Sequence, residues 1–353
     1  MGDYGKVVTG NTPPTKDIEN YENGTYLWAS PADLSTIKLI SETKTKLSSK
    51  GFSKTRALPK GSVLVTCIGS TIGKTGMATK EMSTNQQINS IVVNDNNDNE
   101  FVYYAIQSAF PRYLSSIAVQ AVPIISKSAF EMLPNKRPCL QEQKKIGKFL
   151  SLLDERIATQ NKIIDKLQSL IKGISGRIFA SIQGIEYRMG DIASITNGDS
   201  NVQDAVTESN DGLYPFFDRS EDIKYLSTFL FDKEAIIYPG EGAEFIPRYF
   251  KGKFALHQRC YAIFDFNEII DAQYLYLYLK TQNSYFVRNA VGSTVPSLRL
   301  DTFQKLKVVV PPKKIQYSVS LCLSSMEQKF NIENDILQML LKQKQYLLRQ
   351  MFI

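Results

Sequence analysis

The stretch nearest to a chemical motif is Gly69-Ser70-Thr71-Ile72-Gly73-Lys74-Thr75. A phosphate-cradling loop needs four residues between its glycines, followed by Lys and then Ser or Thr. Here only three residues intervene, and Gly76-Met77-Ala78-Thr79 opens no apolar helix. The spacing predicts a polar hairpin loop, in which Ser70, Lys74, Thr75 and the backbone N–H groups can meet a phosphate. Asn11-Thr12-Pro13-Pro14-Thr15 lacks both the direct Asn-Pro step and the stacking aromatic of an amino-methyltransferase. It reads as a proline-fixed turn. Glu142-Gln143-Lys144 has nuclease-like spacing but no upstream acid, and acid at a helix start is ordinary dipole complementarity. A single histidine, His257, in 353 residues removes the two-histidine zinc helix and any forceful Ser/His/Asp or Cys/His arrangement. No catalytic residue, metal or cofactor is expected.

Two triplets fit a different chemistry, the reading of base edges. Asn85-Gln86-Gln87 and His257-Gln258-Arg259 each follow a polar loop and precede an apolar stretch. Asn and Gln can bond bidentately to adenine and Arg to guanine. The amides serve equally well to satisfy backbone groups in a turn. Lys54, Arg56, Arg219, Arg248 and Lys251 lie in predicted loops, where each is either a phosphate contact or a solvated charge. The net charge of +7 suits a polyanionic partner without requiring one. Tyr274, Tyr276, Tyr278 and Tyr285 read as helix-face packing rather than a stacking platform.

These loops need elements to hold them, and the chain supplies each element twice. Met1-Gly2-Asp3 and Gly10 return as Met189-Gly190-Asp191 and Gly198, an offset of 188 residues. From Pro59 onward the offset is 173: Lys60 with Lys233, Gln86 with Gln258, Val122-Pro123 with Val295-Pro296, Phe130 with Phe303, Pro138 with Pro311, Gln143 with Gln316, and Phe179 with Phe352. Two copies make a tandem duplication rather than a solenoid.

Each copy ends in a heptad-patterned stretch. The first seam is Ile146, Leu150, Leu153, Ile157, Gln160, Ile164, Leu167, Ile171, Ile174 and Ile178. The second is Val319, Leu323, Met326, Phe330, Glu333, Leu337, Leu340, Lys344, Leu347 and Met351. At ~1.5 Å per residue the first is a rod about 50 Å long, with Gly173 and Gly176 as weak points. The two seams predict an antiparallel pair with Gln160 and Glu333 facing each other at mid-length. Two independent surface helices are the alternative. Before each rod the pattern is mixed: strands over residues 62–68 and 88–93 with a helix near 100–116 interrupted by Pro111, then strands over 235–238, 254–264 and 306–310 with a helix near 271–289. No apolar run approaches 18 residues, so no membrane span or secretory signal is expected. Cys67, Cys139, Cys260 and Cys322 are scattered and read as free thiols of a cytoplasmic protein.

Arg137-Pro138-Cys139-Leu140-Gln141-Glu142-Gln143-Lys144-Lys145-Ile146, continuing to Leu150-Ser151-Leu152-Leu153-Asp154-Glu155-Arg156-Ile157, resembles the helical region of Type I restriction–modification specificity subunits. Their pattern is Pro-Leu-x-Glu-Gln followed by Leu-Ser-x-Leu-Asp. Gly2-Asp3-Tyr4-Gly5-Lys6-Val7-Val8-Thr9-Gly10-Asn11-Thr12-Pro13 resembles the opening of their target recognition domains. The second copy departs from the pattern, with Lys313-Lys314-Ile315 where the Leu-x-Glu stretch would stand. The resemblance implies an α+β fold, with two tandem target recognition domains (1–137 and 183–311) and two spacer helices (138–182 and 312–353) forming an antiparallel coiled coil of pseudo-twofold symmetry. It implies a non-catalytic DNA-specificity subunit that reads a bipartite double-stranded site. The same resemblance implies two methyltransferase partners docked on the helices, restriction motor-nuclease subunits joined through them, and no membrane. The competing expectation is a coiled-coil scaffold with only nonspecific DNA binding, which steep salt dependence without sequence preference would reveal.

Overall fold

The computed structural model describes residues 1–34, 38–116 and 123–352, so Val122 of the repeat lies outside the described residues. The chain divides into two compact units, Met1–Asn161 with Ile336–Ile353, and Lys162–Asp335. Both units are α+β.

In the first unit, strands Gly5–Thr9, Ile88–Val93, Val63–Thr66, Thr75–Ala78 and Leu39–Ile40 form a sheet in that spatial order. Its pairings are antiparallel except the last. A smaller sheet joins Thr45–Leu47, Tyr26–Ala29 and Met82–Thr84. Val63-Leu64-Val65 is apolar without alternation because both faces are covered. Val63 and Val65 pack with Phe101, Tyr104 and Phe130 on the helical side, while Leu64 packs with Leu27, Leu58 and Met82 on the other.

The second unit repeats this plan. Ser194–Asn197, Cys260–Phe264, Phe231–Pro239 and Arg248–Leu256 lie in the same order, followed by Tyr214–Phe217 and Lys224–Leu226. Ile236 and Tyr238 face the helical core, and Ala235 and Ile237 face the opposite cluster. The offset of 173 carries helix Asn99–Ser116 onto the span from Ala272 to Asn289, Lys127 onto Leu300, and Leu140 onto Lys313, each pair beginning a helix.

The sequence pattern and the structure differ at three places. The helix over 99–116 runs through Pro111 unbroken; Phe110 and Ala109 just before it are buried in the core, and that packing outweighs one missing backbone donor. Its counterpart is two helices, Ala272–Lys280 and Asn283–Asn289, because the Thr281 N–H and hydroxyl both turn back to the Tyr278 carbonyl. The apolar run over 254–264 is the two arms of a hairpin, split at His257–Arg259.

The long helices are Leu140–Ser181 and Lys313–Met351, and the first continues through Gly173 and Gly176. Each unit holds half of each helix, packed antiparallel on the globular part. In the first unit Ile146 and Leu150 share a core with Leu347 and Met351, and Lys344 Nζ meets Asp154 at 2.6 Å. In the second, Ile174 and Ile178 pack with Val319, Leu323 and Met326. Every seam position is buried or half-buried, including Ile157, Leu167, Ile171, Phe330, Leu337 and Leu340. Gln160 and Glu333 are each buried, with Lys329 one turn before Glu333 pairing with its carboxylate.

The start of each long helix is fixed to its domain by one glutamine. Gln143 Oε1 accepts from the Asp98 N–H at 3.0 Å, and its Nε2 donates to the Pro138 carbonyl and Asn97 Oδ1 at 3.0 and 3.1 Å. Gln316 Oε1 accepts from the Asp271 N–H at 2.7 Å, and its Nε2 donates to the Pro311 and Ile269 carbonyls, both at 2.8 Å. Asp98 and Asp271 in turn accept from Phe101 N–H and Tyr274 N–H, the first free donors of the neighbouring helices. Both glutamines are essentially fully buried. Substituting Gln143 or Gln316 with Leu leaves a buried amide N–H without its acceptor and is expected to cost about 1–3 kcal/mol each. Urea denaturation would read the loss, and an unchanged midpoint would refute it.

Candidate nucleic-acid interface

In the first unit the candidate residues cluster around the turn after strand Gly5–Thr9. Arg56 donates from Nη1 to the Thr9 carbonyl at 2.6 Å and from its backbone to Asn11 Oδ1 at 3.0 Å. Asn11 Nδ2 donates to the Lys54 carbonyl, and Lys54 Nζ pairs with Asp17 and Asn20. The Thr12 hydroxyl donates to Gln86 Oε1 at 2.5 Å. Asn85 is buried and braces the turn: its Oδ1 accepts from Gln87 N–H and its Nδ2 donates to Gln87 Oε1. Gln86 is exposed. The Gly69–Lys74 loop is a hairpin connection, with the φ of Gly69 at +96° and of Gly73 at +91°, values that favour glycine. It lies against the triplet through the Cys67 N–H, which donates to the Gln87 carbonyl at 2.8 Å. Ser70 and Lys74 are exposed on it, whereas Thr75 is buried with its hydroxyl on the Gly73 carbonyl.

In the second unit, Arg219, His257, Gln258 and Arg259 line one cleft of about 270 Å³ together with Val202, Asp218 and Glu241. Arg259 Nη1 donates to both Glu241 carboxylate oxygens, at 2.8 and 3.0 Å, yet the side chain stays 63% exposed. One nitrogen of the guanidinium is therefore anchored while the rest of the fork faces solvent. His257 Nδ1 accepts from the Arg259 N–H at 3.2 Å. Burial lowers the His257 pKa below the ordinary histidine value; Asp218 opposes that effect and Arg259 adds to it. The ring is accordingly neutral at pH 7 with its proton on Nε2, a single donor. Gln258 Nε2 donates to Asn201 Oδ1 at 2.9 Å. Asp218 is buried, which raises its pKa, but Lys224 at 2.6 Å and Ser220 outweigh burial and hold it below the usual carboxylate range. Arg248 stands apart from the cleft lining; its guanidinium lies over Phe217 and donates to the Asp218 and Ser220 carbonyls. Lys251 is exposed on the hairpin strand opposite Glu234.

The triplets sit at the same place in both repeats, at the turn entering the strand that pairs with both the domain's first strand and the central one. A repeated glycine presses against each. A Cβ at Gly10 would lie 2.2 Å from the Asn85 carbonyl oxygen, and one at Gly198 2.0 Å from that of Leu256 and 2.7 Å from that of His257. Sequence reasoning paired these glycines without giving them a task, and it did not include Glu241, Asp218 or Thr12 in the site. Gly240-Glu241-Gly242 carried the signal for Glu241, an acid between two glycines facing an arginine across a hairpin.

The seam residues proposed from sequence for both helix pairing and partner docking are enclosed by packing within their units. The apolar side chains left to solvent on the helices are different ones, among them Phe149, Leu152, Ile163, Leu170, Ile332, Met339 and Tyr346. Among the described residues, no group of three or more His, Cys, Asp or Glu could hold a metal ion. Among the same residues, no helix is long and apolar enough to cross a membrane.

A family model described as the Type I restriction modification DNA specificity domain matches the chain twice, over residues 1–169 and 185–342. The Type I restriction enzyme MjaIX specificity subunit of Methanocaldococcus jannaschii is 24% identical over 363 aligned residues, covering 89% of this chain and 82% of that protein. The HindI specificity subunit of Haemophilus influenzae is 28% identical over 48% of this chain and 39% of its own length. The crystal structure of a Type I restriction–modification S subunit from M. genitalium shares the fold, with a TM-score of 0.65 at 18% identity, covering 99% of this chain and 93% of that one. The chain belongs to the specificity subunits of Type I restriction–modification systems, the non-catalytic members that give these systems their DNA specificity.

Proposed function

We propose that each unit reads one half of a bipartite double-stranded DNA site. Residues 1–137 and 183–311 are the two readers, and 138–182 and 312–353 are the spacer helices. The first half-site is read by Gln86 and its supporting loops, with Lys54, Arg56, Ser70 and Lys74 on the phosphates. The second is read from the His257–Arg259 cleft, flanked by Arg219, Arg248 and Lys251. The helices set the distance between the halves. They also dock two methyltransferase subunits through exposed apolar residues such as Phe149 and Leu152, and restriction motor-nuclease subunits join through those. The observation that carries this reading is the placement of base-edge side chains at one equivalent turn in both repeats, each turn closed by a glycine that admits no side chain.

Arg259 is the sharpest probe. An arginine on guanine contributes about 1–3 kcal/mol of discrimination, so Arg259→Ala is expected to weaken cognate duplex binding by about 5- to 150-fold and to relax one position of the second half-site only. Lys74→Ala should instead weaken all sequences alike and flatten the salt dependence. Binding of the assembled methyltransferase to a panel of single-base variants separates the two. Full retention of base preference in Arg259→Ala would remove Arg259 from the reader.

A further inference from the structure

The two repeats differ at one strand. In the second unit, Ile185–Arg188 pairs antiparallel with Lys307–Val310, with Arg188 opposite Lys307, Tyr187 opposite Val308, Glu186 opposite Val309 and Ile185 opposite Val310. The equivalents of 307–310 in the first unit are Pro134, Asn135, Lys136 and Arg137, which form no strand. Their backbone is nevertheless held in the same way. Tyr278 and Tyr274 hydroxyls donate to the Lys307 and Val309 carbonyls, and Tyr113 and Tyr4 hydroxyls donate to the Pro134 and Lys136 carbonyls. The alternate residues 135 and 137 therefore present the outer edge, as 308 and 310 do toward Ile185–Arg188. Among the described residues nothing accepts from the Asn135 or Arg137 backbone N–H, and Asn135 Nδ2 is buried without a partner.

A groove of about 850 Å³ runs along this edge, floored by Phe101, Ile146, Met351 and Phe352 and rimmed by Lys136, Arg137 and Lys145. Its floor is the counterpart of the surface that Tyr187 covers in the second unit, where Phe179 packs on Tyr274 as Phe352 packs on Phe101. We propose that this groove is a strand-acceptor site for a partner polypeptide. The occupant is a short extended segment with an acidic residue between an apolar and an aromatic one, added antiparallel to residues 134–137. In the register of the second unit its acidic residue stands directly opposite Lys136, where opposite charges attract across a strand pair. The source is a separate chain, because the Met1 ammonium already donates to the Glu131 and Leu133 carbonyls at 2.9 and 2.5 Å, and the groove opens beside it.

The probe is a fluorescent, end-capped peptide with the sequence of residues 181–190, titrated into the full chain by fluorescence anisotropy. Saturable one-to-one binding is expected. Lys136→Glu should weaken it roughly tenfold, and a peptide carrying Lys in place of its Glu should recover that loss on the variant alone. A chain with residues 181–188 fused ahead of Met1 should fill its own groove and bind no peptide. The proposal is overturned by the absence of saturable binding, by binding indifferent to the charge at residue 136, or by undiminished binding to the fused chain. Occupancy seen only in the fused chain also overturns it, by assigning the groove to a covalent arm.

Discussion

Replacing residues 1–137 with the matching segment of a specificity subunit of different specificity is expected to change one half of the methylated site and leave the other half as it was. The physical basis is that each unit has its own sheet, its own two-sided core and its own reading turn. No residue of the second unit takes part in holding Gln86 or its supports. The graft must still fit the helix halves that belong to the first unit. Tyr104 donates to Asp154 at 2.6 Å, Lys38 donates to Ser151 at 2.9 Å, and the Asp98 N–H needs Gln143. Burial first and the Asp154 hydrogen bond second raise the Tyr104 pKa, so its hydroxyl remains a donor across the working pH range. An incoming segment without these partners should lose stability by about 1–3 kcal/mol per orphaned group. That loss would lower the yield of complex without altering which bases are read. Methylome sequencing of cells carrying the exchanged subunit gives the answer, and a change in both halves would sink the two-reader proposal.

The helices were legible in the sequence because their signal is local and periodic. A stripe at steps of four and three names the buried positions directly, and Leu150, Leu153, Ile164, Leu323 and Leu340 are buried where that stripe put them. The duplication was legible because equal spacing survives where side chains change: Gln143 and Gln316 sit in different surroundings sequences yet make the same pair of bonds. What the sequence could not show was which polar residues of a loop face inward. Asn85 and Gln86 are neighbours of similar chemistry, and only the pairing of Asn85 with Gln87 buries one and exposes the other. Arg259 and Glu241 are 18 positions apart, and a hairpin must close before one can orient the other. Thr75 looked available beside Lys74, but strand pleating sends adjacent side chains to opposite faces. The docking surface failed for a related reason. Heptad reading finds the stripe a helix buries most deeply, and a partner meets what remains outside it.

The second large effect tests the helices as a spacer. Seven residues are two turns of helix, so a seven-residue insertion keeps every side chain on its face while lengthening the rod by about 10 Å. The insertion points follow from the unit boundaries, which fall between Asn161 and Lys162 on the first long helix and between Asp335 and Ile336 on the second. An insertion there leaves intact the helix packing inside each unit, including Lys344 with Asp154 and Ile174 with Leu323. Both helices cross the boundary, so matched insertions are required; one alone would set helices of unequal length against each other. With base pairs spaced about 3.4 Å along the duplex, the preferred spacer should grow by about 3 base pairs while both half-sites keep their sequence. A matched four-residue insertion is the informative control. It rotates each face by about 40° beyond a full turn and should disrupt assembly rather than produce a clean intermediate spacer. Methylome sequencing again reads the outcome. A spacer unchanged by the seven-residue pair, in a complex that still methylates, would show that the separation is set elsewhere than in these helices.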